Sequence, residues 1–142
     1  MRNVLISCLL TLMLLAGNVF AEEENDGPRN VDIGLYNNSR YNCDLLFHTV
    51  IHGVLISPVP AYLSGGSIHK IKMLTSSKRD DASIRLSYIC EDDRAIKVRV
   101  HFKRKHGVSV VTEETQRIEL QVQKGKGFSS HSKVNLTFSM PR

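Results

Sequence analysis

The chain has 142 residues, with 19 Lys and Arg against 14 Asp and Glu and a formal net charge of +5. That length suits one domain, whose core can form without a metal because a chain of this size buries about two thirds of its unfolded surface. The positive balance is modest, has no recognition motif beside it and no aromatic platform interleaved with it, so nucleic acid is not an expected partner.

The first segment has the layout of a secretory leader. One early cation, Arg2, precedes an apolar stretch over residues 4–15 that only Ser7, Cys8 and Thr11 interrupt. Gly17 ends the stretch, and Val19-Phe20-Ala21 offers small residues at the two specificity positions. Residues 1–21 are therefore expected to be a signal peptide cleaved after Ala21, and the protein to be secreted or periplasmic. The stretch is short for a span of about 20 residues, and no basic stop-transfer cluster follows it. Cys8 lies too early, inside the apolar region, to be a lipid-attachment site. No later segment is apolar enough to cross a membrane as a helix. Residues 22–30 begin Glu22-Glu23-Glu24-Asn25-Asp26-Gly27-Pro28 and are expected to form a flexible acidic lead, with residues 31–142 as the single folded domain. Arg2 leaves with the leader, so the mature net charge falls from +5 to +4.

From Val31 onward the apolar residues recur at every second position. Val31, Ile33 and Leu35 form the first set, and Cys43, Leu45 and Phe47 the second. Ala82, Ile84, Leu86, Tyr88 and Cys90 form the third, and Ile96, Val98, Val100 and Phe102 the fourth. Ile118, Leu120 and Val122 are followed by Val134, Leu136, Phe138 and Met140. Alternate strand residues point to opposite faces, so each run has one buried and one wet side, which favours antiparallel sheets. Asn37-Asn38-Ser39, Pro58-Val59-Pro60, Ser64-Gly65-Gly66, Glu91-Asp92-Asp93, Lys105-His106-Gly107 and Lys124-Gly125-Lys126-Gly127 supply the turns. The expectation is an all-β fold: a small antiparallel β-sandwich, or alternatively a barrel, of about seven to eight strands with one disulfide. The best candidate for a helical turn is residues 112–117, which could equally be a polar loop.

Once Cys8 is removed, Cys43 and Cys90 form an even pair in an exported chain and are expected to bridge. Alternation points both thiols inward, so the bridge should tie an early strand to a central one, from sheet to sheet. Closing so long a loop is worth about 4 kcal/mol on the chain-entropy account.

The clearest surface feature lies around Val98. Lys97, Arg99, His101 and Lys103 alternate with apolar residues and share one wet face, and Arg104 and Lys105 extend the row into the next turn. Such a row attracts an anionic glycan, a lipid headgroup or an acidic protein surface; it would also serve simply to keep a strand from edge-to-edge association. His48 and His52 would share a metal on a helix but lie about 13 Å apart on a strand, too far for one ion. Glu91-Asp92-Asp93 lacks the spaced ligands of a calcium loop and reads as a charged turn. There is no nucleophile elbow and no phosphate-binding glycine loop. No catalytic residue, metal or cofactor is assigned. Asn37-Asn38-Ser39 and Asn135-Leu136-Thr137 match the N-glycosylation acceptor.

Three families share fragments of this pattern. Tyr88-Ile89-Cys90 resembles the Tyr-x-Cys strand of an immunoglobulin domain, although the chain has no tryptophan. Residues 88–102 are similar to the start of periplasmic lysozyme inhibitors of the membrane-bound C-type group, whose bridge runs to a later cysteine; here Cys43 lies earlier. Residues 37–73 are similar in outline to aegerolysin-type β-sandwiches, which bind membrane lipid. Each covers a minority of the chain, and no functional residue is carried over. The reading that follows is a non-enzymatic exported protein that contacts an anionic surface or a protein through its basic face. The alternatives are an inhibitor of a lytic enzyme or protease acting through a loop at residues 124–128, a membrane-lipid-binding β-sandwich, and a hydrolase with an unrecognised site.

Overall fold

The computed structural model describes residues 27–77, 81–103, 106–125 and 131–141. The expected signal peptide, most of the acidic lead, Arg104, Lys105 and residues 126–130 of the Lys/Gly loop lie outside these.

Ten strands follow one another, and no helix occurs among the described residues. They are β1 (Asn30–Asn38), β2 (Cys43–His52), β3 (Val54–Leu55), β4 (Tyr62–Leu63), β5 (Ile68–Leu74), β6 (Ala82–Cys90), β7 (Arg94–Lys103), β8 (Gly107–Gln116), β9 (Glu119–Lys124) and β10 (His131–Ser139). They form two five-stranded sheets, ordered β3-β5-β1-β10-β9 and β4-β2-β6-β7-β8. The sheets stack as a sandwich and do not close into a barrel.

The inward residues of the alternating runs fill the space between the sheets. Ile33, Leu35, Ile71 and Leu136 come from the first sheet, and Ile84, Leu86, Ile96 and Val98 from the second; all are fully buried. The rings of Tyr88 and Phe138 meet edge-to-face at 5.9 Å, one from each sheet. The Tyr88 hydroxyl donates to the Pro60 carbonyl at 2.8 Å. Burial pushes its pKa upward, so it stays a neutral donor.

Four details differ from the sequence expectation. The count is ten because β3 and β4 have two residues each, too short for alternation to reveal. β1 and β10 run parallel, the one parallel pair in an otherwise antiparallel arrangement of described strands. Residues 112–116 are neither helical turn nor loop but the second half of β8, paired with β7 from Gly107↔Lys103 to Gln116↔Ala95. β8 is an edge strand with most side chains in water, so it carries polar residues where a central strand would alternate. The Cys43–Cys90 bridge joins adjacent strands of one sheet rather than two sheets. The two cysteines are direct partners in the β2/β6 ladder with Cα atoms 3.9 Å apart, and both are buried, 0% and 5% exposed. Closest approach of Cα atoms across an antiparallel ladder occurs at non-hydrogen-bonded positions, and the neighbouring bond from the Glu91 N–H to the Asn42 carbonyl places the cysteines at one.

Asn37 closes β1 from inside. Its fully buried amide donates to the carbonyls of Tyr41 at 2.7 Å and Leu63 at 3.1 Å, and its oxygen accepts from the Ser39 hydroxyl at 2.6 Å. The nitrogen that a glycan would require is thus consumed in the fold, so the Asn37 acceptor motif is architectural here.

β2 breaks its own alternation twice. Register shifts between Leu45 and Phe47 and between Val50 and His52 insert Leu46 and Ile51 as extra residues. Beyond β2 the chain crosses to the first sheet, where the Ile56 N–H bonds the Lys72 carbonyl at 2.8 Å. It then returns at β4, which pairs with β2 only at Cys43 and Asp44. One side of the sandwich is therefore bounded by the edge of β2 and by residues 54–61.

Candidate anion-binding face

β7 lies between β6 and β8, and its unbroken pairing with β6 projects Lys97, Arg99, His101 and Lys103 from the outer surface of the second sheet. The ladder adds a cation that was not chosen from the sequence. Arg85 on β6 lies directly opposite Arg99. Like charges at opposed positions repel, so this pair needs an anion between its members.

Glu113 supplies it. A register shift opposite Lys97 and Val98 leaves Glu113 as the extra residue of β8. Its carboxylate bonds Arg85 Nε at 2.9 Å and Arg99 Nη2 at 2.9 Å, with Lys97 Nζ at 3.9 Å. Burial pushes the Glu113 carboxyl upward, but the hydrogen bonds and charges of Arg85 and Arg99 outweigh it and hold the group below the usual carboxylate range. Three cations thus converge on one carboxylate whose side chain is 19% exposed. Arg99 Nε is buried and finds no hydrogen-bond partner among the described residues.

The rest of the row is more evenly balanced. His101 Nε2 lies 3.1 Å from Asp81 Oδ2, and its ring is 6.4 Å from that of His52 on β2. The Lys97 ammonium sits 5.5 Å from the ring centre of Phe47, a cation–π contact that carries the face onto β2. Lys103 is exposed at the end of the strand. The structure therefore gathers Lys97 and Arg99 with Arg85 about Glu113, sets His101 against Asp81, and leaves Lys103 at the rim.

A second feature is a cleft of about 630 Å³ at one end of the sandwich, lined by Asp92, Asp93, Arg94, Arg117, Met140 and Pro141. Asp92, Asp93 and Arg117 are the non-glycine residues with left-handed backbone among those described, at φ of 59°, 56° and 55°. The aspartates form the β6–β7 turn, where short polar side chains tolerate that conformation; Arg117 turns the chain from β8 into β9. Arg94 stacks on Tyr41, 3.8 Å from the ring centre, and reaches Asp92 Oδ2 at 3.5 Å. Asp93 and Arg117 line the same cleft beside this pair. Among the described residues no cluster of His, Cys, Asp or Glu could hold a metal ion.

No protein-family model matches the chain, and no curated protein matches it by sequence. Solved structures do match in fold. The lipid binding protein Nakanori aligns over 94% of this chain and 78% of its own at 10% identity, with a TM-score of 0.58. IP-1A from Alcaligenes faecalis aligns over 83% and 95% at 10% identity, with a TM-score of 0.50. The Xerocomus chrysenteron lectin XCL aligns over 80% and 99% at 12% identity, with a TM-score of 0.49. At these identities the likeness is one of fold alone.

Proposed function

We propose that this is an exported, non-enzymatic binding protein whose second-sheet outer face contacts an anionic surface. The observation that carries the reading is the convergence of Arg85, Lys97 and Arg99 on the single carboxylate of Glu113, which leaves an excess of positive charge on a broad, solvent-open sheet. A sheet face offers little shelter for chemistry but much area for an extended polyanion, and several cations in one plane raise the local concentration of such a partner. The fold it shares with a lipid binding protein supports the same reading.

Binding of the mature protein to immobilised heparin and to phosphatidylglycerol vesicles, compared with phosphatidylcholine vesicles, tests it. Binding to the anionic supports that weakens as salt rises is expected, and Lys97→Glu should reduce it while leaving the circular dichroism unchanged. Absence of binding at low salt, or binding indifferent to Lys97→Glu, would refute the reading.

A further inference from the structure

From Leu45 to His69 the chain contains no Lys, Arg, Asp or Glu. This uncharged run, in a protein with 23% charged residues, is the segment that bounds one side of the sandwich. It is not buried. Leu46 is 64% exposed, Val54 54%, Ile56 53% and Ile51 40%. Leu46 and Ile51 are the extra residues of the two β2 bulges, and Val54 and Ile56 follow on the adjoining edge of the first sheet. Apolar side chains gathered on one side of a monomer mark a contact surface.

Its flanks say what it contacts. On one flank the Lys97 ammonium lies over Phe47 of β2, beside Arg85 and Arg99. On the other, exposed Lys72 of β5 is hydrogen-bonded through its carbonyl to Ile56. An apolar strip bordered by cations is complementary to a bilayer surface with anionic headgroups: the strip enters the acyl boundary and the cations meet the phosphates. A second copy of the chain adding a strand to β2 is the competing occupant. Two bulges within one edge strand interrupt the ladder that such pairing needs.

We infer that the side formed by the β2 edge and residues 54–56 is a membrane-docking surface, seating Leu46, Ile51, Val54 and Ile56 in an anionic bilayer. This rests on the anionic-surface reading above and narrows it to lipid.

The chain has no tryptophan, so one introduced indole reports without background. Leu46→Trp and Val54→Trp place it on the strip; Val122→Trp on β9, 40% exposed, places it elsewhere. With phosphatidylglycerol vesicles, the first two should shift to the blue and be quenched by brominated acyl chains, and the third should not. Leu46→Ser with Val54→Ser should weaken vesicle binding by about tenfold or more, since burial of one such side chain is worth at least that factor, while heparin binding is retained. If the vesicles bind but the strip indoles do not shift, the docking surface is wrong and the anionic-surface reading stands. If neither vesicles nor heparin bind, both fall. A blue shift that grows with protein concentration in the absence of vesicles would overturn docking in favour of self-association.

Discussion

β7 and β2 are both ten-residue strands of one sheet, yet they are built on opposite rules. β7 has a partner along each edge and alternates between buried and more open positions from Ala95 onward. β2 is paired on one edge only over most of its length, breaks register twice and leaves most of its residues in water. Two-residue alternation is enforced where a strand is gripped from both sides and one face lies on the core. Where one edge is free, a bulge costs little and parity is lost. The regular strand presents charge at fixed intervals, and the irregular one presents oily side chains.

The sharpest way to break the contrast is to cut the clasp between the two kinds of strand. Replacing Cys43 and Cys90 together by Ala releases β2 from β6 and should cost about 4 kcal/mol, as expected for a bridge spanning 47 positions; denaturant unfolding measures it, and a loss under about 1 kcal/mol would show that the ladder alone holds β2. Next is a matched pair of truncations. Ile96→Ala in β7, fully buried, should cost about 3 kcal/mol, whereas Ile51→Ala in the β2 bulge should cost less than about 1 kcal/mol. Equal losses would abolish the distinction.

Glu113 sharpens the comparison from the charged side. Glu113→Gln removes the anion that the row already holds, and should strengthen binding to anionic vesicles about fivefold at low salt, the worth of about one surface charge. It should also alter acid unfolding. The folded pKa of Glu113 lies below its ordinary value near 4.5, so its pairing stabilises the protein at neutral pH and is lost as the pH falls below about 4.5 through the folded value. The Gln variant should lack that part of the acid limb. The smallest effect is expected at Arg117, whose left-handed backbone suits Asn better; Arg117→Asn should raise stability by about 0.5 kcal/mol in thermal unfolding.

The same contrast explains what could be read before folding. The alternating sets at Val31, Ala82, Ile96 and Val134 became the sandwich core because each is gripped on both sides. The row at Lys97 and Arg99 was visible for that reason. Arg85 was equally legible, as an outward residue of an alternating run, but only the ladder shows that it faces Arg99. Glu113 was hidden because its place depends on a bulge in an edge strand whose polar residues resemble a loop. The bridge was recognised from cysteine parity and compartment, while its course within one sheet needed strand order, which periodicity does not contain. The expected leader and the cations Arg104 and Lys105 lie outside the described residues.

The side-by-side course of β1 and β10 has a consequence for how the molecule comes into being. The middle of the first sheet joins residues 30–38 to residues 131–139, so that layer cannot close until residues 131–139 have been made. A chain stopped before His131 leaves β1 with one neighbour instead of two and strands β9 without its ladder. Assembly is therefore governed by contacts between distant positions, which makes folding slow relative to helical proteins of this size.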